Sequence, residues 1–307
     1  MKTLLGSIGH TPLLRLEKMS EPGSAEIFVK LEGANPTGSM KDRMALSMVE
    51  GAERRGALKP GGTVVDYTGG STGSSLAMVC AAKGYRAHFA SSDAFAEEKL
   101  QTMRAFGAVV EVMPSQNRKV TPELIQALIA RVRELAKQPS TFWTDQFNNP
   151  DNRAGYHPMA EEILEQLAGK LDVFLMGVGT GGCFSGNAEV LKKRIPGVRC
   201  VALEPAASPA LSGKGPLGGH RLEGIGPGFV PGGCRLDLAD EIVAVSDADA
   251  YETARTLASR EGILAGITGG AHVHAAVELA RRLGRGRRVV TVLPDSGLKY
   301  LQGDLFS

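Results

Sequence analysis

The sequence is short of cysteine, of net charge and of long apolar runs, and each shortage closes off a class of protein. Its 307 residues hold four cysteines, Cys80, Cys183, Cys200 and Cys234, far apart and without a CxxC pair. That spacing speaks against a zinc site and against a disulfide scaffold, and it suits a reducing compartment, so a cytoplasmic location is expected. Lysine and arginine number 35 against 33 acidic residues, a formal charge of +2, which supplies no field to draw nucleic acid or an anionic membrane. No apolar run approaches the roughly 18 residues of a membrane span. The opening MKTLLGSIGH has one lysine and two consecutive leucines, too little for a secretory leader. Internal repeats and disordered linkers are also missing. With 43% apolar and 22% charged residues the chain has an ordinary globular composition, and its length calls for two domains rather than one core.

Glycine is plentiful at 39 residues, and it gathers in short loops. Glycine permits positive φ and close approach of backbone to ligand, so these loops are where binding is sought. Between them, β-like runs alternate with amphipathic helices, the pattern of an α/β protein with parallel sheets. TVVDY (63–67), AVVEVM (108–113), VFLMGVG (173–179), RCVALEP (199–205), EIVAV (241–245) and RRVVTVLP (287–294) read as strands. A helix is expected over 95–106, with Asp93 as N-cap and Gly107 as stop. Another follows Thr121 and Pro122, with Leu124, Leu128, Val132 and Leu135 on its apolar face. A third begins near Ala248 and ends at Gly262. The irregular glycine-rich stretch 213–233 is either a surface loop or the wall of a site.

Three segments carry chemistry. Lys41 sits in LEGANPTGSMKDR, at the start of a helix, where the macrodipole opposes a cation and favours the neutral amine that forms imines. Taken alone, the same residue is also read as a surface lysine paired with Asp42. Thr68-Gly69-Gly70-Ser71-Thr72-Gly73 lies between a strand and a helix, where amides grip a carboxylate or simply make a capped turn. The loop Gly179-Thr180-Gly181-Gly182-Cys183, again from strand to helix, offers amides and a helix N-terminus to an anion. It also satisfies the glycine pattern of dinucleotide-binding folds, with Glu204 at the end of the next strand. His272 and His274, two residues apart, do not share a helix face, so no metal site is read there. His157 beside Pro158 is read as structural rather than as a catalytic accessory.

The order of motifs resolves part of this ambiguity. IGHTPLLRL, VKLEGANPTGSMKDR, YTGGSTGSSLA, DQFNNP, GVGTGGCFSG, VALEP, GIGPGFVP, EGILAGITGGA and VLPDSGLKYL together resemble the cysteine synthase family of pyridoxal 5′-phosphate (PLP) enzymes over nearly the whole chain. A dinucleotide reading leaves the Lys41 and 68–73 segments unexplained. The resemblance implies fold type II: two three-layer α/β domains of the kind seen in the tryptophan synthase β-subunit, with PLP in the cleft between them. Residues 42–145 would form the smaller domain, and 1–41 with 146–307 the larger. It further implies a homodimer acting on a small amino acid and a small nucleophile.

By the same resemblance Lys41 holds the cofactor as a Schiff base and serves as the catalytic base. Gly179, Thr180, Gly181, Gly182 and Cys183 form the phosphate cup, with Cys183 where the family usually has threonine. Ser71 stands where an asparagine usually touches the cofactor, and Gly69 where serine is usual. Thr68, Gly69, Gly70, Thr72, Gln146 and Gly226 are assigned to the substrate. Thr268 matches the hydroxyl that faces the pyridine nitrogen. A neutral partner there leaves the ring a weaker electron sink and favours loss of a β-substituent over transamination. The expected reaction is β-replacement on a β-substituted L-serine, such as O-acetylserine with sulfide, through an aminoacrylate. Elimination to a keto acid by a dehydratase or lyase is the alternative, and a catalytically silent PLP-fold binding protein a minor one.

Overall fold

The structure, a computed structural model, describes residues 3–307. In chain order the strands are β1 (Leu13–Arg15), β2 (Glu26–Leu31), β3 (Thr63–Tyr67), β4 (Arg86–Ser92), β5 (Val109–Met113), β6 (Thr141–Trp143), β7 (Val173–Gly177), β8 (Arg199–Pro205), β9 (Glu241–Val245) and β10 (Arg288–Leu293). The helices are α1 (Lys41–Arg54), α2 (Ser71–Lys83), α3 (Glu97–Ala105), α4 (Pro122–Ala136), α5 (Pro150–Ala154), α6 (His157–Gln166), α7 (Gly182–Arg194), α8 (Asp247–Thr256) and α9 (Ile267–Leu283). They divide into two units: Met1–Ile8 with Lys41–Gly155, and Gly9–Met40 with Tyr156–Ser307.

The first unit is built on a four-stranded parallel sheet in the order β5-β4-β3-β6. Thr121 caps α4 by accepting the Leu124 N–H at 3.2 Å, and proline follows at the first helical position, where its missing N–H costs nothing. The α4 face of Leu124, Leu128, Val132 and Leu135 is buried with Val65 and Ala90 of the sheet. Each such side chain contributes about 1.5–3 kcal/mol when taken out of water. Helix α2 is buried from Thr72 to Cys80 and closes on Gly84 at φ 75°. The unit runs on to Gly155 rather than stopping near 145, because α5 and its end pack tightly on α1. A Cβ on Gly51 would lie 2.0 Å from Asp151 Oδ2, and one on Gly155 would lie 2.8 Å from the Arg43 carbonyl.

The second unit carries a six-stranded sheet in the order β1-β2-β10-β7-β8-β9. Only β1 is antiparallel, to β2; the other pairs are parallel. Strands β7, β8 and β10 are buried along nearly their whole length. Continuous burial of this kind means that both faces of the sheet are covered, as three layers require. The core gathers Ile27, Val29, Leu175, Val201 and Val289 with Ala271, Val273 and Leu279 of α9. Among the described residues no helix is long and apolar enough to cross a membrane.

One helix differs from expectation. α3 begins at Glu97 after Ala96, not after Asp93. Asp93 Oδ1 instead accepts the Ser115 N–H at 2.7 Å, which ties the turn after β4 to the chain beyond β5. The stop is as expected, with Gly107 in the left-handed region at φ 85°.

Candidate active site

In the first unit, Lys41 is the first residue of α1 and is half-buried. The helix N-terminus opposes positive charge there. Asp42, far from being a surface partner, is fully buried, and its Oδ1 accepts the Ser75 hydroxyl at 2.6 Å. Ser75 belongs to α2, so this bond ties the lysine-bearing helix to the helix that opens on the 68–73 loop.

That loop is pinned from inside. Thr68 Oγ1 accepts the N–H groups of Gly73 at 3.1 Å and Gly70 at 3.4 Å, and the Thr68 N–H donates to the Ala90 carbonyl at 3.0 Å. Ser71 and Thr72 are the first two residues of α2, after Gly70 as N-cap. First-turn amides and the helix dipole suit a carboxylate. Gln146 is brought to the same place: its Oε1 accepts the Thr72 hydroxyl at 2.9 Å and its Nε2 donates to the Tyr67 carbonyl at 3.2 Å.

Beneath the loop lies Asp66, which the sequence reading did not single out. It is fully buried at the end of β3. It accepts from the Thr144 hydroxyl, from Trp143 Nε1 at 3.2 Å and from the Tyr67 N–H at 2.8 Å. The carboxyl therefore joins the ends of β3 and β6, which lead into the loop and into Gln146. Burial pushes it up to about 7 against the pull of these three donors, with the Asp145 charge adding to the rise.

In the second unit, β7 feeds the glycine loop and then the 13-residue α7. The glycines are required by close approach. A Cβ on Gly179 would lie 2.0 Å from the Gly224 carbonyl oxygen, and one on Gly181, whose φ is 85°, would lie 2.5 Å from Cys234 Cβ. Gly182 and Cys183 begin α7. Cys183 is buried; its Sγ accepts from Asn187 Nδ2 at 3.6 Å, and the same Nδ2 donates to the Cys183 carbonyl at 2.7 Å. A glycine-rich loop turning into a helix N-terminus is the donor arrangement that a phosphate monoester needs. The residues present fit the phosphate of PLP.

A short strip, 223–226, connects this loop to Thr268. The Gly226 N–H donates to the Val178 carbonyl at 2.9 Å, and the Gly224 carbonyl abuts Gly179. The Glu223 carbonyl accepts the hydroxyl of buried Thr268 at 2.7 Å. Thr268 Oγ1 thus has its proton engaged and keeps lone pairs for another partner. Both backbone polar groups of Gly226 are used internally, since its carbonyl also meets His220 Nε2 at 2.9 Å. The structure places this glycine as a strut of the strip.

His272, set aside above as no metal ligand, is a second residue the sequence reading missed. It is fully buried. Its Nε2 accepts the Gly177 N–H at 2.9 Å, so Nδ1 carries the proton and donates to the Val292 carbonyl at 2.6 Å. The neutral ring clamps the end of β7, just before the glycine loop, to β10. Its position four residues after Thr268, on one helix face, was the available signal.

The lead-in to Lys41 is anchored within the second unit. The Met40 N–H donates to the Pro294 carbonyl at 2.8 Å and the Gly38 N–H to the Asn35 carbonyl at 2.8 Å. Asn35 Nδ2 donates to buried Glu32 at 2.8 Å, which also accepts the Thr11 hydroxyl at 2.6 Å. Nearby, buried Lys30 pairs with Glu162 at 2.7 Å and donates to the Thr11 carbonyl at 2.6 Å.

Two rival readings are overturned. Glu204, the would-be ribose ligand of a dinucleotide fold, is buried and spends its carboxylate on the Leu211 N–H at 2.7 Å and on Ser212 Oγ at 2.5 Å. His157 meets Glu189 at 3.0 Å on the surface of the second unit. Among the described residues no group of three or more His, Cys, Asp or Glu side chains is placed to hold a metal ion. Cys80 and Cys200 are buried thiols pushed up to about 12 by loss of solvent, which makes them inert.

Residues 4–295 match a family model described as pyridoxal-phosphate dependent enzyme. A cysteine synthase of Staphylococcus aureus is 44% identical over 302 residues, spanning 98% of this chain and 95% of its own length. The crystal structure of an O-ureido-L-serine synthase superposes with a TM-score of 0.93 at 38% identity, covering 100% of this chain and 95% of that one. An O-acetylserine sulfhydrylase isoform from Entamoeba histolytica gives 0.92 at 36%, covering 99% and 91%.

Proposed function

The chain belongs to the pyridoxal-phosphate dependent enzymes, and from that premise we propose that it makes L-cysteine from O-acetyl-L-serine and sulfide. The broader activity is β-replacement on an O-substituted serine. The observation that carries the reading is the joint placement in one unit of Lys41 at a helix start and of a carboxylate loop with Gln146, tied together by Asp42 and Ser75. Within the second unit, the glycine loop and the start of α7 form an anion site of their own.

Bound PLP supplies an electron sink that acidifies the substrate's Cα–H. The rest is done by the chain. The first-turn amides of α2 and the Thr72–Gln146 pair orient the α-carboxylate. The Lys41 amine takes the Cα proton, acetate leaves with the electrons of the Cβ–O bond, hydrosulfide adds at Cβ, and Lys41 returns the proton to Cα. The loop 179–183 would hold the phosphate through backbone amides. Thr268 would face the pyridine nitrogen with an uncharged hydroxyl, its proton turning from the Glu223 carbonyl to donate there, and a ring left unprotonated would favour β-chemistry over transamination.

The departures at Gly69 and Ser71 support one second reading, release of pyruvate and ammonia after loss of the β-substituent. Purified protein given O-acetylserine with and without sulfide separates the two. Sulfide-dependent cysteine is the expected product, and keto acid formed at a rate indifferent to sulfide would overturn it. We also propose a cytoplasmic homodimer, supported by the four free thiols and by the resemblance to dimeric enzymes. Sedimentation velocity tests the dimer.

A further inference from the structure

The 68–73 loop lacks a side chain at position 69 for a reason that lies outside the loop. A Cβ on Gly69 would stand 2.0 Å from Phe95 Cγ and 2.1 and 2.3 Å from its two Cδ atoms. These atoms are the root of a ring rather than the free end of a flexible chain, so the ring already fills that volume. Phe95 is held in place. Its N–H donates to the Ser92 carbonyl at 3.2 Å, the Ala94 N–H donates to Ser92 Oγ at 3.2 Å, and Asp93 anchors the same turn through Ser115. The half-buried ring packs on the cluster that includes Val65, Ala90 and Leu128. Beside it, Lys99 lays Cδ 3.9 Å from where a Cβ on Gly70 would be. The loop's two adjacent glycines are therefore flanked by a ring and an aliphatic stem from one short segment.

We propose that Phe95 is a positioning residue of this loop, size-matched to Gly69. Position 69 brings an apolar ring to the substrate's carboxylate instead of a hydroxyl, and the Thr72 hydroxyl is already given to Gln146, so the first-turn amides of α2 become the main donors. The ring keeps water from competing for the carboxylate on that side, which strengthens those remaining donors. The inference rests on the β-replacement reading and names how this chain holds the α-carboxylate of its amino-acid substrate. It also accounts for the late start of α3: Phe95 lies in the turn ahead of the helix, with its ring against Gly69.

The test uses holoenzyme with Gly69→Ser, Phe95→Ala and the double substitution. Three quantities are read: cofactor loading from visible absorbance, kcat and KM for O-acetylserine, and the Kd of L-alanine, which has no β-leaving group, from its effect on that absorbance. Gly69→Ser is expected to raise the L-alanine Kd and the KM by about tenfold or more with loading unchanged. Adding Phe95→Ala should reverse most of that loss, a coupling of about tenfold. Independent, multiplying effects, or a Gly69→Ser enzyme that binds like wild type, would overturn the proposal. If Gly69→Ser does not fold, Phe95→Leu and Phe95→Ala decide alone. A severalfold higher KM with kcat within about threefold supports the role, and an unchanged KM refutes it. The L-alanine arm needs no turnover, so a wild type that binds L-alanine but makes no cysteine fails the proposed reaction and not the pairing.

Discussion

Asp66→Asn offers a quantitative test of how the carboxylate loop is supported. The carboxyl is fully buried and is held at about 7, against roughly 4 in an unfolded chain. The sign follows from linkage. The folded protein binds this proton more tightly than the unfolded one, so its contribution to stability is complete below about pH 4 and disappears as pH rises through 7. Between pH 5 and pH 9 the loss amounts to about 2.5–3 kcal/mol, or roughly 4–5 °C in Tm for a chain of 307 residues. Asparagine has the shape of the neutral acid and no such proton to lose. Thermal unfolding of PLP-loaded wild type and Asp66→Asn at one-unit pH steps isolates the residue, because the other titrating groups are common to both. The difference in Tm should move toward the variant by that amount as pH rises. Parallel profiles would refute the reasoning. They would mean that the three donors from Thr144, Trp143 and Tyr67 outweigh burial and hold the carboxylate ionised.

Two further substitutions probe the phosphate side. His272→Ala strands the Gly177 N–H and the Val292 carbonyl, each worth about 1–3 kcal/mol when left buried and unpaired; Tm and PLP affinity should both fall, the latter about tenfold, and His272→Gln, which restores an acceptor, should recover part of each. Unaltered PLP affinity in His272→Ala, measured by equilibrium dialysis, would remove its role in positioning the loop. Gly179→Ala puts a methyl group where the Gly224 carbonyl lies, and PLP affinity should drop by at least about tenfold; wild-type affinity would show that the strip at 224 yields freely.

Much of this architecture was legible from residue pattern. β3 and β8 run over the expected residues, and Thr121 caps α4 as its sequence implies. Lys41 stands at a helix start as read, and Thr72 and Gln146, 74 residues apart, meet at 2.9 Å. What escaped the pattern depends on distant partners. Asp66 looks like one residue of a strand until Thr144 and Trp143 are beside it. His272 was weighed against His274, its neighbour in sequence, although its partners are Gly177 and Val292. Glu204 fitted a dinucleotide motif by spacing alone, whereas the fold bends the chain at Leu211 and Ser212 around its carboxylate. Gly69 looked like a plain departure from a serine until Phe95 accounted for the missing side chain. Strands β1, β2, β4 and β6 went unread: β1 and β6 have three residues each, and charged or polar residues break the hydrophobic pattern of β2 and β4.

Everything in the proposed chemistry depends on which amine holds the cofactor. Borohydride reduction of the PLP-loaded protein, followed by proteolysis and mass mapping, answers this directly. A single modified peptide bearing Lys41 is expected, and in Lys41→Ala no borohydride-reducible link between cofactor and protein. A cofactor found on any other lysine, or a Lys41→Ala protein that keeps both its colour and its turnover, would contradict it.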